Sequence, residues 1–376
     1  MTNNNKLNVH RSADTERHPP PKLIQFTKYE VNKPTSQVFS HHTHGGQLQA
    51  ASQQYNIPLA DWLDLSTGIS PFAYPLPLVP TECWQRLPET NDGLEAAATN
   101  YYGSSFLLSV SGSQEAIQRL PTLFPKGQRV GIIRPAYLSH QQAWRNAGHQ
   151  VNAFTSSEID QQLPNLDVLI LVNPTNPSAE SFSPEIIMRW YEQLVRRNAY
   201  LIIDEAFMDA TPEQSTINKS PKPGLIVLRS IGKFFGLAGV RLGFVWAETK
   251  ILEQLASKQD DWSVSHPARW AGAIALQDTP WQQQQKKKLL NSSERLKNLL
   301  EKTFKAPVYH TALFSYFRHK QAQFYHQELA RNGVLTRLLE HPLALRFGIP
   351  GTDAQWCCLK KILELKKIKY SNDEGS

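Results

Sequence analysis

The segment Ser230-Ile231-Gly232-Lys233-Phe234-Phe235-Gly236-Leu237-Ala238-Gly239-Val240-Arg241-Leu242-Gly243 sets a lysine between two glycines, three residues after a serine and eight before an arginine. Just upstream, Leu225-Ile226-Val227-Leu228 is an apolar run of strand length. Lys233 therefore falls on a glycine-punctuated loop past the end of a buried strand, where open α/β sheets bind their ligands. An ammonium is costly to desolvate unless it is paired or used, and a lysine can form a Schiff base with a carbonyl compound. Ser230 and Arg241 could hold a phosphate on the same ligand, the arginine through a bidentate fork.

Working outward, the upstream strands end in the same way. Tyr200-Leu201-Ile202-Ile203 runs into Asp204-Glu205-Ala206-Phe207, and a carboxylate at the end of a buried strand needs a partner. A protonated pyridine nitrogen would be one, with Asp204 and Lys233 following consecutive strands. Asp167-Val168-Leu169-Ile170-Leu171-Val172 is a continuous apolar strand ending in Asn173-Pro174-Thr175-Asn176-Pro177. The two X-Pro pairs predict an extended, rigid loop that holds an asparagine where it can donate to a ring oxygen. Arg129-Val130-Gly131-Ile132-Ile133 leads to Tyr137, which could stack on a flat ring or simply cover the top of the sheet. Phe106-Leu107-Leu108-Ser109-Val110 ends in Ser111-Gly112-Ser113-Gln114 before a helix. That strand, turn and helix start form a generic anion site.

At 376 residues the chain is long enough for one large and one smaller domain. Its 40% hydrophobic and 19% charged content is that of a globular protein. The net charge of +7 is concentrated in Lys286-Lys287-Lys288 and in the C-terminal lysines, with no aromatic interleaving of the nucleic-acid kind. Cys83, Cys357 and Cys358 give no disulfide framework, which fits a reducing cytoplasm. No stretch reaches the length of a membrane span, and Met1-Thr2-Asn3-Asn4-Asn5 opens no signal peptide.

Residues 1–40 are polar and proline-bearing and read as a flexible leader. Residues 41–71 read as an N-terminal arm packing with the small domain, 72–280 as the large domain and 281–376 as the small C-terminal one. His41-His42-Thr43-His44 lacks a neighbouring cysteine or carboxylate at ligand spacing, so no metal is expected; Gly45 and Gly46 instead let backbone amides approach an anion. In the C-terminal part Gly333–Arg337 and Leu343–Gly351 read as strands, and Arg337 and Arg346 could bind substrate anions.

Asn176, Asp204 and Lys233, with Ser230 and Arg241, stand in the order used by fold-type I pyridoxal-phosphate enzymes, and the chain from about His44 to Gly351 resembles their class I/II aminotransferase family. The resemblance implies a large α/β/α domain with a mostly parallel sheet and a smaller C-terminal α/β domain, and pyridoxal 5'-phosphate as cofactor. It places Lys233 at the cofactor aldehyde, Asp204 at the pyridine nitrogen, Asn176 at the ring hydroxyl and Tyr137 on the ring. Ser113, Gln114, Ser230 and Arg241 fall at the phosphate. Within that family, His44-Gly45-Gly46, Asp64-Leu65-Ser66-Thr67-Gly68-Ile69-Ser70-Pro71, Asp92-Gly93-Leu94-Glu95, Asp204-Glu205-Ala206-Phe207 and Arg346-Phe347-Gly348-Ile349-Pro350-Gly351 are similar to the threonine-phosphate decarboxylases of cobalamin biosynthesis. This implies a cytoplasmic homodimer acting on O-phospho-L-threonine, with His44, Gly45, Arg337 and Arg346 at the substrate. The alternative is an aminotransferase for a phosphorylated amino acid such as histidinol phosphate. Gly68, Phe207 and Gly232 depart from the commoner residues at their positions, which are Asn in the decarboxylases, and Tyr and then Ser or Thr in aminotransferases.

Overall fold

The computed structural model describes residues 45–370, with side chains as far as Glu364. The leader of residues 1–40 and His44 lie outside the described residues.

The strands, in chain order, are β1 (Leu63–Asp64), β2 (Leu107–Val110), β3 (Arg129–Ile133), β4 (Gln150–Phe154), β5 (Val168–Val172), β6 (Tyr200–Asp204), β7 (Leu225–Ser230), β8 (Gly243–Trp246), β9 (Tyr309–His310), β10 (Phe314–Arg318), β11 (Val334–Leu335), β12 (Arg337–Glu340) and β13 (Leu343–Gly348). Seven of them form one sheet in the order β2-β8-β7-β6-β5-β3-β4. The β3–β4, β3–β5, β5–β6 and β6–β7 pairs are parallel, and β8 runs antiparallel to β7 and β2. This is the mostly parallel α/β sheet expected from the sequence. The central β5 and β7 are buried along their whole length, because helices cover both faces and every side chain must be apolar or paired.

Helix Pro184–Val195 starts as its sequence dictates, with Ser183 accepting a hydrogen bond from the Ile186 amide and proline in the first turn. Helix Thr279–Phe304 is capped by Asp278 and buries Gln285, Leu289, Ser293, Leu296 and Leu300, a single stripe at helical spacing. A second sheet, β12-β13-β10-β9, follows it in the chain and is antiparallel in its β12–β13, β13–β10 and β10–β9 pairs.

Three local expectations change. The single strand expected at Gly333–Arg337 is divided at Thr336: β11 pairs in parallel with β1, whereas β12 pairs with β13. The chain switches partner there, which an apolar pattern does not reveal. Strand β4 has no strong sequence signal because it is an edge strand with alternating exposure. The loop expected around Lys233 contains one helical turn, Ile231–Phe234.

Candidate active site

Lys233 leaves β7 on that turn, partly buried, with its Nζ 5.7 Å from the centre of the Phe207 ring. Burial first, and then the Arg346 and Arg241 cations, push its amine down to about 8, against the pull of Asp204. Asp204 ends the neighbouring β6 and is buried. Its Oδ1 accepts from the Ala206 amide at 3.1 Å, and its Oδ2 lies 3.0 Å from His140 Nε2. His140 is itself buried in the helix Leu138–Asn146. The carboxylate is thus fixed on both oxygens at the end of its strand.

Next to Asp204, Glu205 accepts hydrogen bonds from the Ser215 hydroxyl, the Thr216 amide and hydroxyl, and Arg229. Arg229, the residue before Ser230, also pairs with Asp209, which accepts from the Tyr101 hydroxyl. Burying these charges is tolerable only because they are paired and hydrogen-bonded. The network joins the ends of β6 and β7, the two strands that carry Asp204 and Lys233.

Arg337 and Arg346 stand directly opposite each other across β12 and β13. Arg346 donates to Asn176 Oδ1 at 2.5 Å and to the Ser66 carbonyl at 2.6 Å, and lies over the Phe314 ring. Its Nε is buried without an acceptor among the described residues. Burial and the facing Arg337 push Arg346 down to about 9. Burial also lowers Arg337, with Tyr137 opposing. Neither arginine makes an ion pair among the described residues. Gly45 reaches the same corner: a Cβ there would lie 2.2 Å from the Ser66 carbonyl oxygen that Arg346 uses.

The far end of the site is built by β8. Gly243 is the register partner of both Val110 and Ser230, so the ends of β2 and β7 flank it. A Cβ on Gly243 would lie 2.7 Å from the Ser113 amide nitrogen, and one on Gly112 would lie 2.5 Å from Arg241 Nη2. Glycine at these two positions lets the first amides of helix Ser113–Arg119, Ser230 and the Arg241 guanidinium converge. The helix-start amides have no intrahelical acceptor. The Tyr137 hydroxyl donates to Gln114 Oε1 at 3.1 Å, tying the aromatic to this end.

The two asparagines of the 173–177 loop separate in role. Asn173 is fully buried and exchanges hydrogen bonds with the Phe182 backbone. Asn176 faces Arg346 through Oδ1, which leaves its Nδ2 as a donor. Gly68 is covered by aromatic rings, since a Cβ would lie 2.9 Å from Phe207 and 3.0 Å from Phe314. The sequence reading missed His140, Ser66 and the Glu205–Arg229–Asp209 network. His140 follows Tyr137 by one helical turn, which was the one available signal.

A lysine with a lowered amine after one strand of a mostly parallel sheet, a fixed carboxylate after the neighbouring strand, and helix-start amides converging with an arginine beyond make up the site. The chain belongs to the class I and II aminotransferase family, whose model matches residues 86–356. It is 48% identical over 320 residues to the threonine-phosphate decarboxylase of Pseudomonas aeruginosa, covering 85% of this chain and 96% of that protein. It is 34% identical to the threonine-phosphate decarboxylase of a Sinorhizobium species, over 81% of this chain and 92% of that one. Among solved structures it superposes on the histidinol-phosphate aminotransferase of Sinorhizobium meliloti in complex with pyridoxal 5'-phosphate, with a TM-score of 0.72, 19% identity, and coverage of 84% of this chain and 94% of that one. That last likeness shows the fold, which is fold-type I.

Proposed function

We propose that this protein is a pyridoxal-phosphate-dependent carboxy-lyase that converts O-phospho-L-threonine to (R)-1-amino-2-propanol O-2-phosphate for cobalamin biosynthesis. The observation that carries the reading is the register pairing of Arg337 with Arg346. Two facing cations without ion-pair partners among the described residues suit a substrate with an anion at each end. The names of the two relatives, 48% and 34% identical, support the same choice.

The residues present fit the cofactor. Gly112 has no Cβ to block Arg241 from the helix start, Asp204 is a buried carboxylate fixed at a strand end, and Lys233 is a desolvated amine. Lys233 would hold the aldehyde, Asp204 the pyridine nitrogen and Asn176 the ring hydroxyl. Tyr137 would lie on the ring, and Ser113, Gln114, Ser230 and Arg241 would take the phosphate. When bound, pyridoxal phosphate supplies the electron sink for the pair released as the bond from Cα to the carboxylate breaks.

The chain's own groups do the rest. Arg346 and Arg337, with Gly45 at the Ser66 carbonyl, grip the substrate's anionic ends and so set the rotation of its breaking bond; the resemblance adds His44, which lies outside the described residues, to the same group. Phe207 and Phe314 pack around Gly68 and keep water from the lysine and arginine. Lys233, with its amine lowered to about 8, is close enough to neutral pH to deliver a proton to Cα as CO₂ departs.

A homodimer in the cytoplasm belongs to the same reading; Leu78, Trp84 and Leu87 are exposed along one stretch and would suit an apolar contact. So does the division into residues 72–280 and 281–376, with the 41–71 arm joined to the latter through β1 and β11. The alternative, an aminotransferase for a phosphorylated amino acid, would use the same cofactor residues. Phe207, which has no hydroxyl, argues against it.

The test is turnover of O-phospho-L-threonine in D₂O. The expected product is an amino alcohol phosphate carrying one solvent deuterium on the amine-bearing carbon. Deuterium exchange into the substrate with the carboxylate retained would overturn the proposal.

A further inference from the structure

The turn that carries Lys233 is only four residues long, Ile231–Phe234. The carbonyls at a helix end have no intrahelical donors, so a turn this short depends on donors from elsewhere. Two come from outside the cofactor-binding strands. The Lys233 carbonyl accepts from the Ser70 amide at 2.9 Å. The Phe234 carbonyl accepts from Gln285 Nε2 at 2.9 Å. The same Gln285 Nε2 lies 2.7 Å from Ser70 Oγ and 2.9 Å from the Phe72 carbonyl. Gln285 is buried on the helix Thr279–Phe304, far along the chain from the lysine.

The segment from Ser66 to Tyr74 is thereby pressed against the lysine turn. The Tyr74 amide donates to the Phe235 carbonyl at 2.8 Å. Gly236 has φ +67°, and a Cβ there would lie 2.7 Å from Ala73 Cα. Both the conformation and the close approach require glycine. At its other end the segment supplies the Ser66 carbonyl to Arg346, and between the two, Gly68 sits under Phe207. One buried amide thus fastens the segment that links the substrate arginine to the lysine.

We propose that Gln285, acting through Ser70, is a positioning residue for Lys233: it holds the lysine turn against the 66–74 segment and so fixes where the amine points and how dry it stays. This rests on the reading of Lys233 as the cofactor lysine. The groups that face the amine are Asp204, Arg346 and Arg241, together with the Phe207 ring. None of them is touched by a change at Gln285.

The experiment compares Gln285→Ala, Ser70→Ala and the core control Leu296→Ala, which lies on the same helix away from the lysine turn. Three readouts are taken: borohydride trapping of pyridoxal phosphate on Lys233, the pH midpoint of Lys233 acylation in the cofactor-free protein, and kcat with KM. Gln285→Ala is expected to lower kcat about 100-fold, as a misplaced reacting group does, while KM changes little. Its acylation midpoint is expected to move up from about 8 towards that of an ordinary lysine. Ser70→Ala should shift both in the same direction by less, and Leu296→Ala should lower Tm without moving the midpoint. If Gln285→Ala fails to fold, Ser70→Ala carries the test. Unchanged midpoint and kcat in the folded variants would overturn the proposal. Failure to trap the cofactor on Lys233 in the unaltered protein would instead overturn the cofactor reading on which it rests.

Discussion

His140 Nε2 lies 3.0 Å from Asp204 Oδ2, and both side chains are buried. A buried carboxylate proposed to meet a ring nitrogen must stay in place without a surface to solvate it, and this contact together with the Ala206 amide does that. Replacing His140 with Ala leaves a buried acceptor short of a partner, a cost of about 1–3 kcal/mol. The cofactor's dissociation constant should therefore rise by about 5- to 150-fold. Fluorescence titration of the cofactor-free protein with pyridoxal phosphate measures it. An unchanged constant would detach His140 from the site.

The two arginines should not respond alike. Arg346 is fixed by Asn176 and Ser66 and faces the lysine electrostatically. Arg346→Lys loses the fork geometry, and charge-assisted bonds of about 1.5–3 kcal/mol correspond to roughly 10- to 150-fold in kcat/KM, with kcat falling too. Arg337 has no hydrogen-bond partner holding it among the described residues, so Arg337→Ala should act mainly through KM. Steady-state kinetics on O-phospho-L-threonine separates the two outcomes.

Gly68 is where an asparagine would be expected to touch substrate, yet Phe207 and Phe314 already fill the space. Gly68→Asn should therefore overpack the site, at about 1–3 kcal/mol, and lower Tm rather than add a substrate contact. A Gly68→Asn protein with unchanged Tm and a lower KM would show that the rings yield easily.

Lys233 should titrate in the cofactor-free protein near pH 8, below its ordinary 10.5. The sign follows from linkage. The folded state binds fewer protons than the unfolded one between those values, so this group's destabilising effect is full below pH 8 and is relieved as pH rises towards 10.5. Acylation of Lys233 followed by peptide mass, from pH 6 to 11, checks the midpoint; a midpoint near 10.5 would mean that the amine is solvated.

Much of the site was legible because strand ends and apolar runs are local features. Lys233, Asp204 and Asn176 each follow an apolar run of strand length, and Ser111-Gly112-Ser113-Gln114 stands between a strand and a helix start. What stayed hidden was long-range. His140 meets Asp204 across 64 residues and Gln285 meets Phe234 across 51. No periodicity encodes such a pairing. The division of the 333–337 strand escaped for the same reason, since β11 and β12 differ in partner and not in composition. The burial of Arg229 beside Glu205 and Asp209 was likewise invisible, because a charged residue in a strand usually faces solvent.

The central claim is decarboxylation, and the most direct measurement is CO₂ release from O-phospho-L-threonine by the pyridoxal-phosphate-loaded protein with no keto acid present. Continuous, stoichiometric release of CO₂ and 1-amino-2-propanol phosphate over many turnovers is the predicted result. No CO₂, with a keto product appearing only when 2-oxoglutarate is supplied alongside an amino donor, would contradict it and leave an aminotransferase.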